Sequence, residues 1–189
     1  MKNDPRSLPN AKCKLPIACL CLILLIGCDR TPERDDLLSG KVTRVVSGQT
    51  VEVMLVQTNE VARVRITGID APDLRQSPWG KIAKDKLSDL VMDREVELER
   101  ENATGDGLSR DRFNRINAHV WQNNTLVSQR LVKAGFVLAN TQYPHSYSKL
   151  LINAQEYARL MGFQIWNRDR AMRYTPSQFR SKIKPTIKQ

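Results

Sequence analysis

Five short stretches of alternating apolar and polar residues, a helical apolar face after the third and two more after the fifth predict an α+β fold. The expected architecture is a five-stranded Greek-key β-barrel of the oligonucleotide-binding type with about three α-helices packed against it.

The elements follow in order. Val42, Val45 and Val46 lead into a tight turn at Ser47-Gly48-Gln49, and Val51, Val53 and Leu55 then alternate with Glu52 and Met54 at the period of a half-buried strand. A turn near Thr58-Asn59-Glu60 starts a third strand, with Val64 and Ile66 on one face and Arg63, Arg65 and Thr67 on the other, so the three strands form a meander. Pro72 closes the third strand. Ser77-Pro78 predicts a helix start, serine as N-cap and proline first in the helix, followed by an apolar face of Ile82, Ala83, Leu87, Leu90 and Val91. Residues 95–99 alternate as a fourth strand and residues 116–121 as a fifth, separated by a polar loop at 102–109 that holds two glycines. Residues 126–134 read as a second helix ended by Gly135, and residues 146–161 as a third ended by Gly162.

Four segments organise the chain: a leader at 1–28, a charged tether at 29–39, the folded domain at 40–167 and a basic tail at 168–189, read as a solvated extension. Lys2, Arg6, Lys12 and Lys14 precede an uncharged apolar run at 15–26, too short for a membrane span and typical of a secretory signal. The run closes on Leu25-Ile26-Gly27-Cys28, which resembles the lipobox of bacterial lipoproteins and implies cleavage before Cys28 with lipid on its thiol. Asp29 resembles an inner-membrane retention signal of Gram-negative lipoproteins. The expected location is therefore the bacterial cell envelope, anchored by lipid at the periplasmic face of the inner membrane.

All four cysteines, Cys13, Cys19, Cys21 and Cys28, lie in the leader. That excludes a disulfide, a zinc knuckle or a thiol nucleophile from the domain, and His119 and His145 are too few for a zinc site. A monomer held by its own core is expected. The net charge of +10 loses four basic residues and one acidic residue with the leader, and the surplus that remains favours polyanionic partners, nucleic acid or anionic lipid.

Two clusters carry chemistry: Arg65 with Asp70-Ala71-Pro72-Asp73, and Asp111-Arg112-Phe113-Asn114-Arg115. Guanidinium forks match phosphate oxygens, and carboxylates can hold a hard cation or take a proton from water. Taken singly, each has a plainer reading: a surface arginine, an aspartate capping its own turn, a hairpin glutamine at Gln49, or packing aromatics at Phe113 and Tyr143. Together with Val46-Ser47-Gly48-Gln49-Thr50-Val51 and Ile165-Trp166, the clusters resemble the staphylococcal nuclease (thermonuclease) family over residues 40–167, and the tail segment Thr175-Pro176-Ser177-Gln178-Phe179-Arg180 resembles tails of bacterial relatives.

The resemblance implies a Ca²⁺-dependent phosphodiesterase that cleaves DNA and RNA. Arg65 and Arg115 match its phosphate-binding arginines, Asp70 a metal-binding aspartate, and Ala71 a position that offers its main-chain carbonyl to the metal. Phe113 and Tyr143 fall where aromatic rings flank the nucleotide. Two positions depart. Gln49 replaces a second metal-binding carboxylate, which weakens an ion site whose affinity follows ligand charge. Asp73 replaces the glutamate that positions or deprotonates water, shortening its reach by about one carbon–carbon bond, ~1.5 Å. Ser47 and Asn114 also replace the usual aspartate and glycine, a sign of relaxed constraint.

The function expected is hydrolysis of a nucleic-acid phosphodiester by metal-assisted in-line attack of water, at low activity. Gln49, Asp70 and Ala71 would hold the ion, with Asp73, Arg65 and Arg115 catalytic. The rivals are a catalytically impaired nucleic-acid-binding barrel, favoured by Gln49, and a structural envelope lipoprotein, in which the two arginines would have no evident role. For the anchor, metabolic labelling with a fatty acid should mark the wild type and spare Cys28→Ser; equal labelling of both would contradict a lipid on Cys28.

Overall fold

A computed structural model describes residues 37–100 and 110–183. Cys28 and the expected leader lie outside the described residues, as do most of the tether and the loop expected at 102–109. The meander forms from β1 (Leu38–Ser47), β2 (Thr50–Leu55) and β3 (Val61–Ile66), each paired antiparallel with the next. In β1 the buried valines are Val42 and Val45, three residues apart, which a regular strand of period two would point to opposite faces. The register against β2 shifts between Val42 and Arg44. This bulge leaves both Thr43 and Arg44 outside and turns Val45 back inward.

After β3 the chain adds β4 (Ile69–Asp70), α1 (Trp79–Val91), β5 (Glu95–Arg100) and β6 (Ile116–Gln122), then β7 (Thr125–Leu126) and α2 (Val127–Lys133). It continues through β8 (Leu138–Ala139), α3 (Ser148–Met161), a 3₁₀ turn at Gln164–Trp166 and α4 (Pro176–Ile183). The main sheet runs β3-β2-β1-β5-β6-β7, and β3 also pairs with β6 in parallel. That last pairing closes β1, β2, β3, β5 and β6 into a five-stranded mixed barrel, the α+β architecture expected. Inside, the cross-strand pairs Val42–Val53, Val51–Val64, Val64–Ile116 and Leu98–Val120 join residues that are all essentially inaccessible to solvent. No helix among the described residues is long and apolar enough to cross a membrane.

The helices lie near their expected positions, with differences that have local causes. α1 begins at Trp79, Pro78 is its N-cap, and Ser77 makes no capping bond. The first turn is supported instead from upstream, Gly80 N–H donating to the Gln76 carbonyl and Ile82 N–H to that of Pro78. Glycine inside a helix costs ~1 kcal/mol relative to alanine, yet a Cβ at Gly80 would stand 2.0 Å from the Asp73 carbonyl oxygen. Close approach of α1 to the turn after Pro72 therefore decides that position.

α2 and α3 both end in Schellman geometry. At α2, Phe136 N–H reaches the Leu131 carbonyl and Gly135 has φ +74; at α3, Phe163 N–H reaches that of Ala158 and Gly162 has φ +66. Two features were not expected. Short strands β4 and β8 pair antiparallel, fixing the segment that carries Asp70. The basic tail is not wholly a solvated extension: Thr175 Oγ1 accepts from Gln178 N–H and Gln178 Oε1 accepts from Thr175 N–H, a reciprocal capping box that starts α4. Pro176 is buried, and Gln76 Nε2 donates to the Tyr174 carbonyl at 2.7 Å, tying this segment to the turn before α1.

Candidate functional site

Arg65 is the last residue but one of β3, between buried Val64 and Ile66, so alternation turns its side chain out of the core. Its backbone is flanked on both sides, by Thr50 of β2 and Asn117 of β6, and its half-buried guanidinium reaches the Ile69 carbonyl at 3.5 Å through Nη2. Arg115 arrives on the loop that leads into β6. Asp111 organises this loop: Oδ1 accepts from Phe113 N–H at 2.9 Å and Arg115 N–H at 3.1 Å, while Oδ2 accepts from Arg115 Nε at 2.9 Å and Nη2 at 2.7 Å. Asn114 has φ +58, in the left-handed region that asparagine tolerates best after glycine. Asparagine therefore suits the conformation that this loop adopts.

Gln49, Arg65, Phe113, Arg115 and Tyr143 line one groove of about 1190 Å³, together with Arg112, Asn117, His145 and the α4 residues Ser177, Arg180 and Ser181. Phe113 is 57% exposed at its rim, with the Arg112 and Arg115 guanidinium carbons 4.8 and 5.0 Å from the ring centroid. The fold therefore gathers five of the expected residues into one surface. Asp70, Ala71 and Asp73 are not among the residues that line it.

Each of those three has an engagement of its own. The Asp70 carboxylate accepts Arg180 Nη2 at 2.8 and 3.0 Å. Ala71 is buried, and its N–H donates to Gln49 Oε1 at 2.8 Å. Asp73 accepts from Arg75 Nε at 2.9 Å, Nη2 at 3.0 Å and the Arg75 backbone N–H at 3.0 Å.

Calcium takes about six to eight oxygen ligands, and its affinity rises with the number of charged ones. Here the single carboxylate expected to bind it holds an arginine, and the neutral Gln49 oxygen, which brings no charge, already accepts a peptide N–H. No group of three His, Cys, Asp or Glu side chains suited to a metal ion occurs among the described residues. The donor set as folded does not fit calcium.

The electrostatics are those of an anion site. Burial pulls Arg65 below the ordinary arginine value, and the Arg115 and Arg180 charges pull the same way while Asp70 and Asp111 oppose them. A guanidinium remains protonated regardless, so Arg65 carries its charge in a partly desolvated place beside two other arginines. Burial alone would raise Asp111, but the hydrogen bonds from Arg115 and the Phe113 N–H outweigh it and hold the carboxyl below its usual range. The Arg75 side chain likewise holds Asp73 low against burial, which makes it a poor proton acceptor.

Of these groups Arg180 and Ser177 were noticed in the sequence only as part of a tail segment, and Ser181 not at all, so none of the three was expected at the site. The signal that could have found them was Thr175-Pro176-Ser177-Gln178, a capping box with proline at the first helical position, which places Ser177, Arg180 and Ser181 on one face.

A family model described as "Staphylococcal nuclease homologue" matches residues 63–168. A protein named "Uncharacterized endonuclease" from Haemophilus influenzae is 30% identical over 175 residues, spanning 93% of this chain and 88% of its own length. The "Thermonuclease" of Staphylococcus hyicus is 27% identical over 133 residues, 67% of this chain and 75% of that protein. An Escherichia coli protein named "Uncharacterized endonuclease" is 33% identical over 107 residues, 56% of this chain and 63% of its own.

The Asp111 contacts give a pH dependence of definite sign. A carboxyl held below the ordinary ~3.9 keeps its contacts from neutral pH down to that range and loses them only as pH falls through the depressed value. The Phe113 amide resonance should stay constant from about pH 7 to about 4.5 and move at lower pH. A midpoint at or above ~3.9 would contradict this loop geometry.

Proposed function

Because the chain belongs to the family of staphylococcal nuclease homologues, we propose that its groove binds a nucleic-acid strand and hydrolyses phosphodiester bonds at Arg65 and Arg115. The observation that carries this reading is the convergence of the two arginines in one groove, with the donors that make no hydrogen bond among the described residues available to an anion.

In-line attack by water adds negative charge to the equatorial phosphate oxygens. Two guanidiniums held in place beforehand stabilise that charge more than the ground state, and losing one such fixed donor typically costs ~10²- to 10³-fold in rate. Asp111 holds the Arg115 side chain, and the paired strands fix the Arg65 backbone while Nη2 reaches the Ile69 carbonyl at 3.5 Å, which lowers the ordering required when substrate arrives. Phe113 and Tyr143 offer exposed rings on which bases can stack, at roughly 1–3 kcal/mol per base.

Asp73 is the acid assigned to orient the water. Its partner Arg75 is 68% exposed, and a solvent-screened pair contributes little, so exchanging it for a water costs little. Its depressed pKa suits orienting better than deprotonating, and this supports a slow reaction. No step runs through a metal ion, since the folded donor set does not fit one. The lipobox-like run ending in Cys28 supports a site of action in the cell envelope, with the domain tethered to a membrane through lipid.

Cleavage of a labelled single strand provides the test. Arg65→Ala and Arg115→Ala should each reduce the single-turnover rate by ~10²-fold or more, with melting temperatures within a few degrees of wild type. Rates equal to wild type in both variants would remove the arginines from the reaction.

A further inference from the structure

The Asp70–Arg180 pair is not explained by the reaction outlined above. Arg180 lies beyond the stretch matched by the family model, on α4. The capping box at Thr175 and the Gln76–Tyr174 bond hold that helix in place, and its Ser177, Arg180 and Ser181 face forms one wall of the groove. Two hydroxyls and a guanidinium at i, i+3 and i+4 are phosphate-binding chemistry on one helical face.

Only Nη2 of Arg180 is used by Asp70, and neither Nε nor Nη1 makes a hydrogen bond among the described residues. The side chain is 37% exposed and lines the groove. Arg115 shows a similar arrangement, one side tied to Asp111 while Nη1 makes no bond among the described residues. A carboxylate that grips one edge of a guanidinium aims the other edge, which lowers the ordering cost when an anion binds.

We propose that the α4 face is a metal-free phosphate subsite, in which Arg180, positioned by Asp70, completes a three-arginine clamp with Arg65 and Arg115. The inference rests on the nuclease reading of the groove. Arg180 supplies from within the chain a positive charge that a divalent ion would otherwise bring to Asp70. Three guanidiniums against Asp70 and Asp111 leave one positive charge unbalanced, which one phosphodiester neutralises. The pull of Arg180 and Arg115 on Arg65 agrees with the three acting at one place.

The test measures binding of a fluorescent single-stranded oligonucleotide to the full chain in excess chelator, across a salt series, alongside cleavage. Wild type should bind without metal. Arg180→Ala should bind at least ~10-fold more weakly, and the slope of log K against log salt should shrink by ~0.7, the value for one single-strand phosphate contact. Arg180→Lys, which retains a charge at Asp70 should the alanine variant lose α4, should keep the wild-type slope.

Binding by Arg180→Ala that equals wild type, or exceeds it because α4 had been blocking the groove, would overturn the subsite, as would a calcium requirement for wild-type binding. The two readings fail separately. Chelator-resistant, Arg180-dependent binding without cleavage would leave the subsite standing and the nuclease reading refuted. Cleavage and binding both indifferent to Arg180 would do the reverse.

Discussion

The parallel pairing of β3 with β6 is the constraint on which the rest of the site depends. It sets Val64 beside Ile116 and Arg65 beside Asn117, and Arg115 immediately precedes Ile116. Two arginines far apart in sequence thus enter one groove because the barrel closes at that register. A slip of one residue would turn Arg65 into the core and Val64 out of it. Full burial of Val64, Ile66, Ile116 and Ala118 disfavours that slip, so the apolar interior that stabilises the barrel also fixes the spacing of its functional charges.

Around that seam, carboxylates act as restraints. Asp111 holds Arg115, and Asp70 holds Arg180. Burial first, and then the neighbouring Arg115 and Arg180 charges, disfavour the Arg65 guanidinium in the free protein, and an arriving phosphate offsets both with opposite charge and new hydrogen bonds. The same economy explains why the acids cannot easily serve a cation. An aspartate already gripping a guanidinium, and a glutamine whose oxygen caps the Ala71 N–H, would have to surrender those bonds to bind one.

The barrel strands and the first three helices were legible because each is long enough to show a period, two in strands and 3.6 in helices. The two-residue pairs β4–β8 and β7 carry no period and could not be read. The β1 bulge was visible only as an odd spacing of valines. Arg65, Arg115, Phe113, Tyr143 and Gln49 were legible as members of one groove through motif resemblance. The engagement of Gln49 with Ala71, of Asp73 with Arg75 and of Asp70 with Arg180 was not, since such pairings are decided by where side chains meet in space. Arg180 was hidden by the composition of its neighbourhood: a run of basic residues reads as a solvated tail unless the capping box before it is noticed.

The most direct measurement of the arginine seam is a structure of the domain with a nucleoside 3′,5′-bisphosphate bound at neutral pH. One phosphate should lie in the groove with N–H···O contacts of about 2.7–2.9 Å to both Arg65 and Arg115, and with the β3–β6 register unchanged. A phosphate seated away from the groove, or held by neither arginine, would contradict it.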